Sequence, residues 1–577
     1  MCYDFRMNMV NKYINFLKNN CQKMGSFILK NSIISTLLVF GFFLISFLSI
    51  YMSIPVLSSG DDHYFHFRFV ERLLNNRFFD SFRDFKNIYF TNVTNGGHFL
   101  YYNFIFYVVL IPFSLITPLY LGIKLFAVTI LSIIGTILYF IFKKLDIRYA
   151  FLWAVGFFSA IGLGSFWRLF LSRPFVFSPI IILLLILAIH KKQYFWIFLL
   201  SFIPLFWHTA TFFVPILVMG VYFLCYGFYY RKYLWRELLL VFLGVLSAVL
   251  VVTMIDNGFF ISIRDNLFKV LFGIVGFVVD KVNIAEGSEV YVKNFFDLFN
   301  NNILLCLMFL FSVVIYVSSL LKEIKVVLNF DNVVKRKKVV TMVFFVLSSV
   351  FIVLIPIISG RFADFFIFFG WIFVVLVITE LFSQIEFTKL NIKKFFIYAV
   401  FVCLIYLFSN SALQLNDELS SNGNHPEAFS EVGGYLSKNL KKGDIVFNLN
   451  WSWFPQLYYY APEQYYVIGL EPKLTYLYDP KLYWLWANLS KGYVCDTENC
   501  PKIDQIEQKE MRNKKNKVWL KEKGENIANA VINDFKSHYI VSTGDYTRLN
   551  LVLDSSKRFE KVFTSSNQFF VYKVLPK

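Results

Sequence analysis

Long uninterrupted apolar runs are the feature that most limits what this chain can fold into. The first run, NSIISTLLVFGFFLISFLSIYMSIPVL at 31–57, exceeds the roughly 20 residues that an α-helix needs to cross about 30 Å of hydrocarbon. Only 16% of the 577 residues are charged and 57% are hydrophobic, whereas a soluble domain has roughly 25% charged residues. The chain is therefore predicted to be a polytopic α-helical membrane protein. No small-residue cleavage site follows the first run, which predicts that this span is retained.

Basic clusters between the apolar runs predict the orientation of the chain. Lys and Arg favour the short cytoplasmic loops of membrane proteins, so the net charge of +18 indicates topology and contact with anionic lipid, and no nucleic-acid partner. The pattern predicts about eleven crossings, and at most about thirteen, with a cytoplasmic N-terminus. The expected location is the inner (cytoplasmic) membrane of the cell. The predicted crossings lie near 31–57, 121–142, 149–166, 174–190, 194–207, 210–230, 237–256, 302–321, 339–358, 364–383 and 395–410. The remaining apolar run at 99–119 contains Pro112 and Pro118, which predicts an interfacial or re-entrant segment.

This topology divides the chain into three parts. Residues 1–30 are a cytoplasmic segment, 31–410 a transmembrane domain with outer loops 58–120 and 257–301, and 411–577 an extracytoplasmic domain. Helix-like stretches at 427–440 and 525–535 each precede a strand-like stretch, at 444–450 and 538–543. This alternation predicts an α/β domain. Within it, Cys495 and Cys500 could form a local disulfide, with the free thiols left as the alternative.

The stretch SSGDDHYFHFRFVERLL at 58–74 places Asp61 and Asp62 directly after the first span. An Asp before the amphipathic pattern HYFHFRFVERLLNN is typical of a helix N-cap. A carboxylate at the lip of a membrane cavity can also bind a divalent metal or accept a proton. Residue patterns alone leave both interpretations open.

Several short motifs resemble the catalytic subunit of oligosaccharyltransferases of the single-subunit bacterial and archaeal type. The first is a span followed by Asp62, Tyr64, His66 and Arg68 and by a long external loop. This family belongs to the GT-C membrane glycosyltransferases, which use polyprenyl-phosphate or dolichyl-phosphate sugars. The resemblance implies a catalytic or metal-binding role for Asp62 and substrate contacts for His66 and Arg68.

Three further stretches carry the same resemblance. In VNIAEGSEVYV at 282–292, Glu289 occupies the position of a family residue that contacts the metal or the acceptor, although Glu286 is equally available. In PIISGRFADFFIFF at 356–369, Arg361 occupies the position of an arginine that holds the lipid diphosphate. The alternative for Arg361 is an interfacial side chain that reaches toward water. The tail stretch at 443–470 is similar to the opening of the family's external domain.

Two places depart from the family pattern. Where the family has an acidic pair that completes its metal site, FWRLFLSRPFVFSPI at 166–180 has Arg168 and Arg173 and no carboxylate. The family's tail motif ends in Asp, Tyr and Gly after two Trp, whereas LNWSW at 449–453 has no Asp. A divalent cation (Mg or Mn) is therefore in doubt, as is transfer to asparagine. Arg173 is expected to help Arg361 bind phosphate.

The resulting prediction is a GT-C glycosyltransferase that works at the extracytoplasmic face. It would transfer a sugar or glycan from a polyprenyl-(di)phosphate-linked donor to a glycan, lipid or protein acceptor. His208, between two spans on the outer side, is expected either to line the polar cavity or to end a helix. Two alternatives stay open: a transporter or flippase for lipid-linked glycans, and a catalytically degenerate paralogue of the same fold.

Overall fold

The structure of the protein is a computed structural model. It describes residues 32–52, 62–75, 103–208, 211–255, 295–323, 332–357, 362–384, 399, 402–414, 416–417, 428–469, 472, 475–476, 479–498 and 517–576. Asp61, Glu289, Arg361 and Cys500 lie outside these described residues, as does most of the predicted outer loop at 257–301.

The part of the chain before residue 415 is helical. In chain order its helices are α1 Ser32–Tyr51, α2 Asp62–Asn75, α3 Phe104–Ser114, α4 Leu119–Lys144, α5 Ala150–Ala160, α6 Leu163–Leu169, α7 Ser178–His190, α8 Tyr194–Trp207, α9 Val214–Tyr230, α10 Trp235–Ile255, α11 Phe295–Asn301, α12 Ile303–Glu323, α13 Asn332–Ile357, α14 Phe362–Gln384 and α15 Val402–Gln414. A short 3-10 helix, Pro174–Phe177, precedes α7.

The helices confirm the predicted class of an α-helical membrane protein with several spans. Among the described residues, six helices are long and apolar enough to cross a membrane: α1, α4, α10, α12, α13 and α14. The pair α5 and α6 makes a seventh candidate if it is one span bent by 110°. Shorter apolar helices occupy the other predicted crossings. The helix α3 lies in the apolar segment with Pro112, which was predicted to be interfacial or re-entrant. The number of about eleven crossings stays a prediction.

Aromatic side chains fill the centre of the helical bundle. The rings of Phe43 and Phe47 on α1 meet Phe158 on α5, with centroids 5.5 and 5.0 Å apart. On the other side, Trp371 of α14 packs against α5 and donates its indole N–H to the Trp153 carbonyl over 3.0 Å. Because these contacts hold α5 from two sides, the position of the adjoining helix α6 is set by the bundle core.

The tail contains a five-stranded sheet with helices packed on it. The remaining helices are α16 Ser430–Asn439, α17 Phe454–Tyr460, α18 Pro480–Leu489, α19 Lys517–Asn533 and α20 Thr547–Ser555, and the strands are β1 Ile445–Asn448, β2 Tyr465–Tyr466, β3 Tyr539–Thr543, β4 Phe559–Thr564 and β5 Phe569–Val574. The strand order is β2-β1-β3-β5-β4.

The sheet is mixed and confirms the predicted α/β tail. Strand β1 pairs in parallel with β2 and β3, with Val446 opposite Tyr466 and Tyr539, while β5 runs antiparallel to β3 and β4. Predicted strands 444–450 and 538–543 contain β1 and β3. The predicted helix 427–440 contains α16, and the predicted helix 525–535 covers the second half of α19. The domain limits 1–30, 31–410 and 411–577 stay predictions.

The tail domain packs directly on the helical bundle through α17 and α2. The ring of Phe65 lies 5.9 Å from that of Phe454 and 5.6 Å from that of Tyr458, and Tyr64 meets Tyr459 at 5.7 Å. These side chains belong to one continuous apolar core with the bundle. Helix α2 is therefore held between the bundle and the tail domain.

Candidate functional site

Helix α2 brings the predicted acidic and histidine residues to one end of the bundle. It buries Phe65, Phe67 and Phe69 together with His63 and His66. The ring of Phe69 contacts Tyr107 on α3 at 4.7 Å, so α2 is packed between α3 and α17. Because both sides of the helix are covered, its polar side chains face other residues of the protein more than water.

Asp62 is the first residue of α2 and forms an ion pair with Arg173. The Asp62 Oδ2 atom lies 3.0 Å from Arg173 Nε, and the two side chains are 26% and 13% exposed. Arg173 immediately precedes the 3-10 helix before α7. The segment 166–180 has no carboxylate of its own, but Asp62 on α2 places one beside Arg173.

Arg168 has a carboxylate partner as well. Its Nε and Nη2 donate to the two oxygens of Asp364, over 3.1 and 2.8 Å, in a two-pronged pair whose side chains are 13% and 10% exposed. The guanidinium also lies 4.9 Å from the ring centre of Phe175. Such a fork-shaped contact fixes the guanidinium plane, so Asp364 on α14 holds Arg168 at the end of α6.

At this end of the bundle, His66 lies close enough to His63 and His208 for their charges to affect it. His66 Nδ1 lies 3.3 Å from the Tyr107 hydroxyl. The pKa of His66 is lowered to about 3, chiefly by burial and also by the charges of Arg173, His63 and His208. A histidine with this pKa is neutral near pH 7, so His66 contributes a hydrogen-bonding group and no positive charge to this end of the bundle.

His208 ends helix α8 beside this cluster. The preceding residue, Trp207, donates its indole N–H to the carbonyl of Pro174 over 2.6 Å and packs on Phe106 and Phe177 with ring centres 5.9 and 5.2 Å apart. These contacts draw the end of α8 onto the turn that carries Arg173. His208 therefore lies within electrostatic reach of His66. It follows the last residue of α8, and its predicted place in a polar cavity stays a prediction.

Lys124 adds a third cation at the same end. It lies near the start of α4, is 3% exposed, and has its ammonium 5.6 Å from the ring centre of Tyr51 and 5.9 Å from that of Tyr120. The hydroxyl of Ser172 donates to the Ile123 carbonyl over 3.3 Å. This bond places the turn containing Lys124 against the turn containing Arg173.

Arg68 faces a different group of residues. Its guanidinium pairs with Glu71 and lies 5.8 Å from the ring centre of Tyr459 on α17. Arg68 is therefore engaged with the tail domain, almost two helical turns after Asp62. Its predicted substrate contact stays a prediction, as do the roles of Glu289 and Arg361, which lie outside the described residues.

Two residues of this site were not singled out by sequence reasoning. Lys124 is a cation inside an apolar run, and Asp364 is a carboxylate in the first turn of another. Ionisable residues within membrane spans are rare and tend to be functional, so their positions in apolar runs alone marked both residues as candidates for the site. Their partners, however, come from other elements and were not predictable from local spacing.

The tail stretch LNWSW builds part of the tail domain. Asn450 caps a short 3-10 helix, Trp451–Trp453, by accepting from the Ser452 amide over 3.0 Å. Trp453 packs against Tyr546 and Phe569 with ring centres 5.6 and 5.5 Å apart. These contacts give the stretch a structural role in the described tail.

The described residues do not contain a preformed set of metal ligands. No group of three or more His, Cys, Asp or Glu side chains converges within the described part of the chain. Asp62 and Asp364 each face a guanidinium, which takes up oxygen lone pairs that a cation would need. The arrangement instead combines three cations with two carboxylates, which suits an anionic ligand such as a phosphate.

Comparisons with known proteins identify two similar solved structures of membrane enzymes. No protein-family model matches the chain. No curated protein matches it either. The crystal structure of ArnT from Cupriavidus metallidurans bound to undecaprenyl phosphate aligns with 92% of this chain and 97% of its own, at 9% identity and a TM-score of 0.49. The Archaeoglobus fulgidus oligosaccharyltransferase, in complex with Zn and sulfate, aligns with 93% of this chain and 74% of its own, at 12% identity and a TM-score of 0.46.

An oligosaccharyltransferase, the family that the sequence motifs resemble, is among the solved structures similar to this chain. At 9% and 12% identity, no residue role can be transferred from either protein. The roles proposed below are argued from the contacts of this chain's own residues.

Proposed function

We propose that this protein is a glycosyltransferase that moves a sugar or glycan from a polyprenyl-phosphate or diphosphate carrier to an acceptor at the extracytoplasmic face of a membrane. The observation that carries the proposal is the Asp62–Arg173 ion pair of 3.0 Å at one end of an apolar helical bundle. A base and a phosphate-binding cation are thereby side by side. That combination serves a reaction in which an acceptor loses a proton while a phosphate leaves.

In the proposed reaction, Asp62 accepts the proton of the acceptor's attacking group. The attacking atom forms a bond to the anomeric carbon of the sugar, and the bond from that carbon to the phosphate oxygen breaks with its electron pair passing to the phosphate. Arg173 and Lys124 stabilise the charge that develops on the phosphate. A guanidinium has five N–H donors, so Nε can orient Asp62 while the other nitrogens bind phosphate oxygens.

The other residues of the site position these groups. Asp364 holds Arg168 through two hydrogen bonds, which keeps the turn before Arg173 in place. Neutral His66 and Tyr107 form a polar wall without adding charge. Arg361 precedes the described start of α14 by one residue and is proposed to add a further phosphate contact, while Glu289 is proposed to contact the acceptor.

The site is proposed to face the outside of the cell. Lys143 and Lys144 end α4 at the opposite end from Lys124, in agreement with a cytoplasmic preference of Lys and Arg. Cys495 in the tail domain is disulfide-bonded, which fits an oxidising compartment. Both observations support a tail domain and site outside an inner (cytoplasmic) membrane.

A divalent cation remains a secondary proposal. Asp62 could supply one ligand for Mg or Mn only together with groups outside the described residues, such as Glu289. No step of the proposed reaction needs the cation, because Arg173 and Lys124 can neutralise a phosphate directly.

The test is a transfer assay in membranes that contain the protein, with labelled polyprenyl-linked donors, with and without EDTA. We expect label to move to an acceptor with and without EDTA. We expect this transfer to be lost in the Asp62→Asn variant. Abolition by EDTA would instead establish a cation-dependent reaction. Absence of transfer, with donor moving between leaflets of reconstituted vesicles, would favour the lipid-linked glycan flippase.

Absence of both transfer and movement of the donor between leaflets would favour a degenerate paralogue.

Because the tail stretch at 449–453 lacks the family's Asp, Asn-X-Ser/Thr peptides are proposed to be poor acceptors. The same assay checks this with such a peptide, and efficient labelling of the peptide would contradict it.

A further inference from the structure

A polar cleft lies at the end of the bundle opposite the candidate site. Helix α7 begins next to Arg173 and ends at His190, which lines the cleft. With a rise of 1.5 Å per residue, a helix of this length spans about 20 Å. The two sites are therefore at opposite ends of one helix and do not share side chains.

The cleft is built from the ends of three apolar helices. His190 closes α7, Tyr226 and Tyr230 lie in the last turns of α9, and Arg336 lies in the first turns of α13. The His190 Nδ1 atom is 3.2 Å from the Tyr222 hydroxyl, and the rings of Tyr226 and Tyr230 stack at 4.4 Å. Packing therefore fixes the wall of the cleft.

Positive charge is concentrated around this wall. Arg336 donates a hydrogen bond to Tyr230, and both Arg336 and Lys192 line the cleft. His190 lies in the field of the positive charges of Lys191 and Arg336, and Asp146 is the negative charge that partly offsets them. The net charge of these side chains is positive, and the tyrosine hydroxyls supply further hydrogen-bond donors. The cleft therefore favours an anion with several oxygen atoms.

The size of the cleft limits the group that can enter. The cleft has about 310 Å³ of empty space, including the part that is open to solvent. A space of this size accommodates a phosphate group.

The surroundings of the cleft indicate the depth of lipid headgroups. Phe195, Trp196, Tyr233 and Trp235 are between 49% and 68% exposed, and they occupy the segments adjoining the cleft. Exposed aromatic residues are typical of the membrane–water interface. Ile189, Leu234 and Val339 line the same cleft, which offers apolar contact beside the basic groups.

We propose that this cleft binds the phosphate of an anionic membrane lipid, with Arg336 and Lys192 holding the phosphate oxygens beside the tyrosine hydroxyls. A lipid source fits the apolar lining and the interfacial aromatic residues, neither of which a free phosphate would use. Basic pockets between helices on the cytoplasmic side are a recurrent way of binding such headgroups. This site is distinct from the proposed catalytic end and does not depend on glycosyl transfer.

The test measures binding of phosphatidylglycerol to the purified full-length protein in a neutral detergent, by native mass spectrometry over a lipid titration. Arg336→Gln should weaken binding by about tenfold, the effect of losing a charge-assisted hydrogen bond. The matched control is Lys337→Gln, which removes the same charge one residue away but does not line the cleft. It should change binding by no more than about twofold, because exposed charges are screened.

Three results would overturn the proposal. Equal losses for Arg336→Gln and Lys337→Gln would mean general attraction to a basic surface. Equal binding of phosphatidylcholine would mean that the net charge of the headgroup is not recognised. Displacement of phosphatidylglycerol by an equal concentration of inorganic phosphate would assign the cleft to free phosphate.

A second variant keeps the test independent of folding. Tyr230→Phe removes only the hydroxyl that holds Arg336 and keeps the aromatic ring and the charge. It should weaken phosphatidylglycerol binding several-fold with an unchanged melting temperature, and unchanged binding would count against the site. Arg336→Lys should recover part of the affinity, because the charge is kept and the fork of donors is lost.

Discussion

At the scale of single residues, the site depends on two arginine–carboxylate pairs whose members come from separate elements. Arg173 meets Asp62 from α2, and Arg168 meets Asp364 from α14. A guanidinium can replace a metal ion as the group that neutralises phosphate, provided that it is oriented. The two carboxylates supply that orientation.

Asp62→Asn should lower transfer by roughly 10² to 10⁴, the usual contribution of a general base. The amide keeps the size of the carboxylate and a polar oxygen beside Arg173, so the loss of stability should be only about 1–3 kcal/mol. The control is Asp61→Asn, which keeps a capping oxygen and should leave turnover within a few-fold. Turnover numbers and melting temperatures of both variants check this, and equal mild effects would return Asp62 to a capping role.

His66 should make the stability of the protein depend on pH. Its pKa is about 3 in the folded protein, against 6.5 ordinarily, so below pH 6.5 the unfolded chain binds a proton that the folded chain does not. Stability from this group is complete above pH 6.5 and falls as the pH drops toward 3. At pH 5 the loss should be about 2 kcal/mol.

Thermal unfolding in detergent at pH 7.5 and pH 5 tests this effect. His66→Gln can still hydrogen-bond Tyr107 but does not titrate, so its melting temperature should change less between the two pH values. The same drop in both proteins would show that other groups cause it.

At the scale of elements, the turn between α5 and α6 controls the position of Arg168. The two helices meet at 110°, and Gly162 at the bend donates its amide to Asn302 Oδ1 over 3.1 Å. A Cβ at Gly162 would lie 1.4 Å from the Asn301 carbonyl oxygen. The backbones of the α5–α6 turn and α11 therefore approach so closely that only glycine fits.

Gly162→Ala should destabilise the protein by several kcal/mol or displace α6, because the clash is with a backbone atom that cannot rotate away. Gly164→Ala is the matched control, since its Cβ would have one distant neighbour, Asn301 Oδ1 at 4.0 Å. We expect a large fall in melting temperature and in transfer for the first variant and a small effect for the second. A Gly162→Ala protein with unchanged stability would contradict the close approach.

At the scale of the whole molecule, the tail domain and the bundle form one packed unit around α2. The apolar contacts of Phe65 with Phe454 and Tyr458 join them, and Arg68 lies over Tyr459. The tail therefore covers one side of the helix that carries Asp62. This arrangement requires the tail and the site to lie on the same side of the membrane.

A tag placed after Lys577 should be accessible from outside intact cells, and a tag at the N-terminus should not. The physical reason is the distribution of Lys and Arg among the loops, together with the disulfide at Cys495. Protease or antibody labelling of intact and permeabilised cells measures both positions. Access to the N-terminal tag alone would reverse the side of every residue in the proposed site.

The sequence by itself determined the membrane class, the helical bundle and the α/β tail, because apolar length and the alternation of helices and strands are local properties. It also directed attention to Asp62, His66, Arg173 and His208, since polar groups beside apolar runs are conspicuous. Only the tertiary structure decided which charges meet. Asp364 and Lys124 acquire their roles from partners on other elements, and such pairings depend on how helices pack, which no local spacing records.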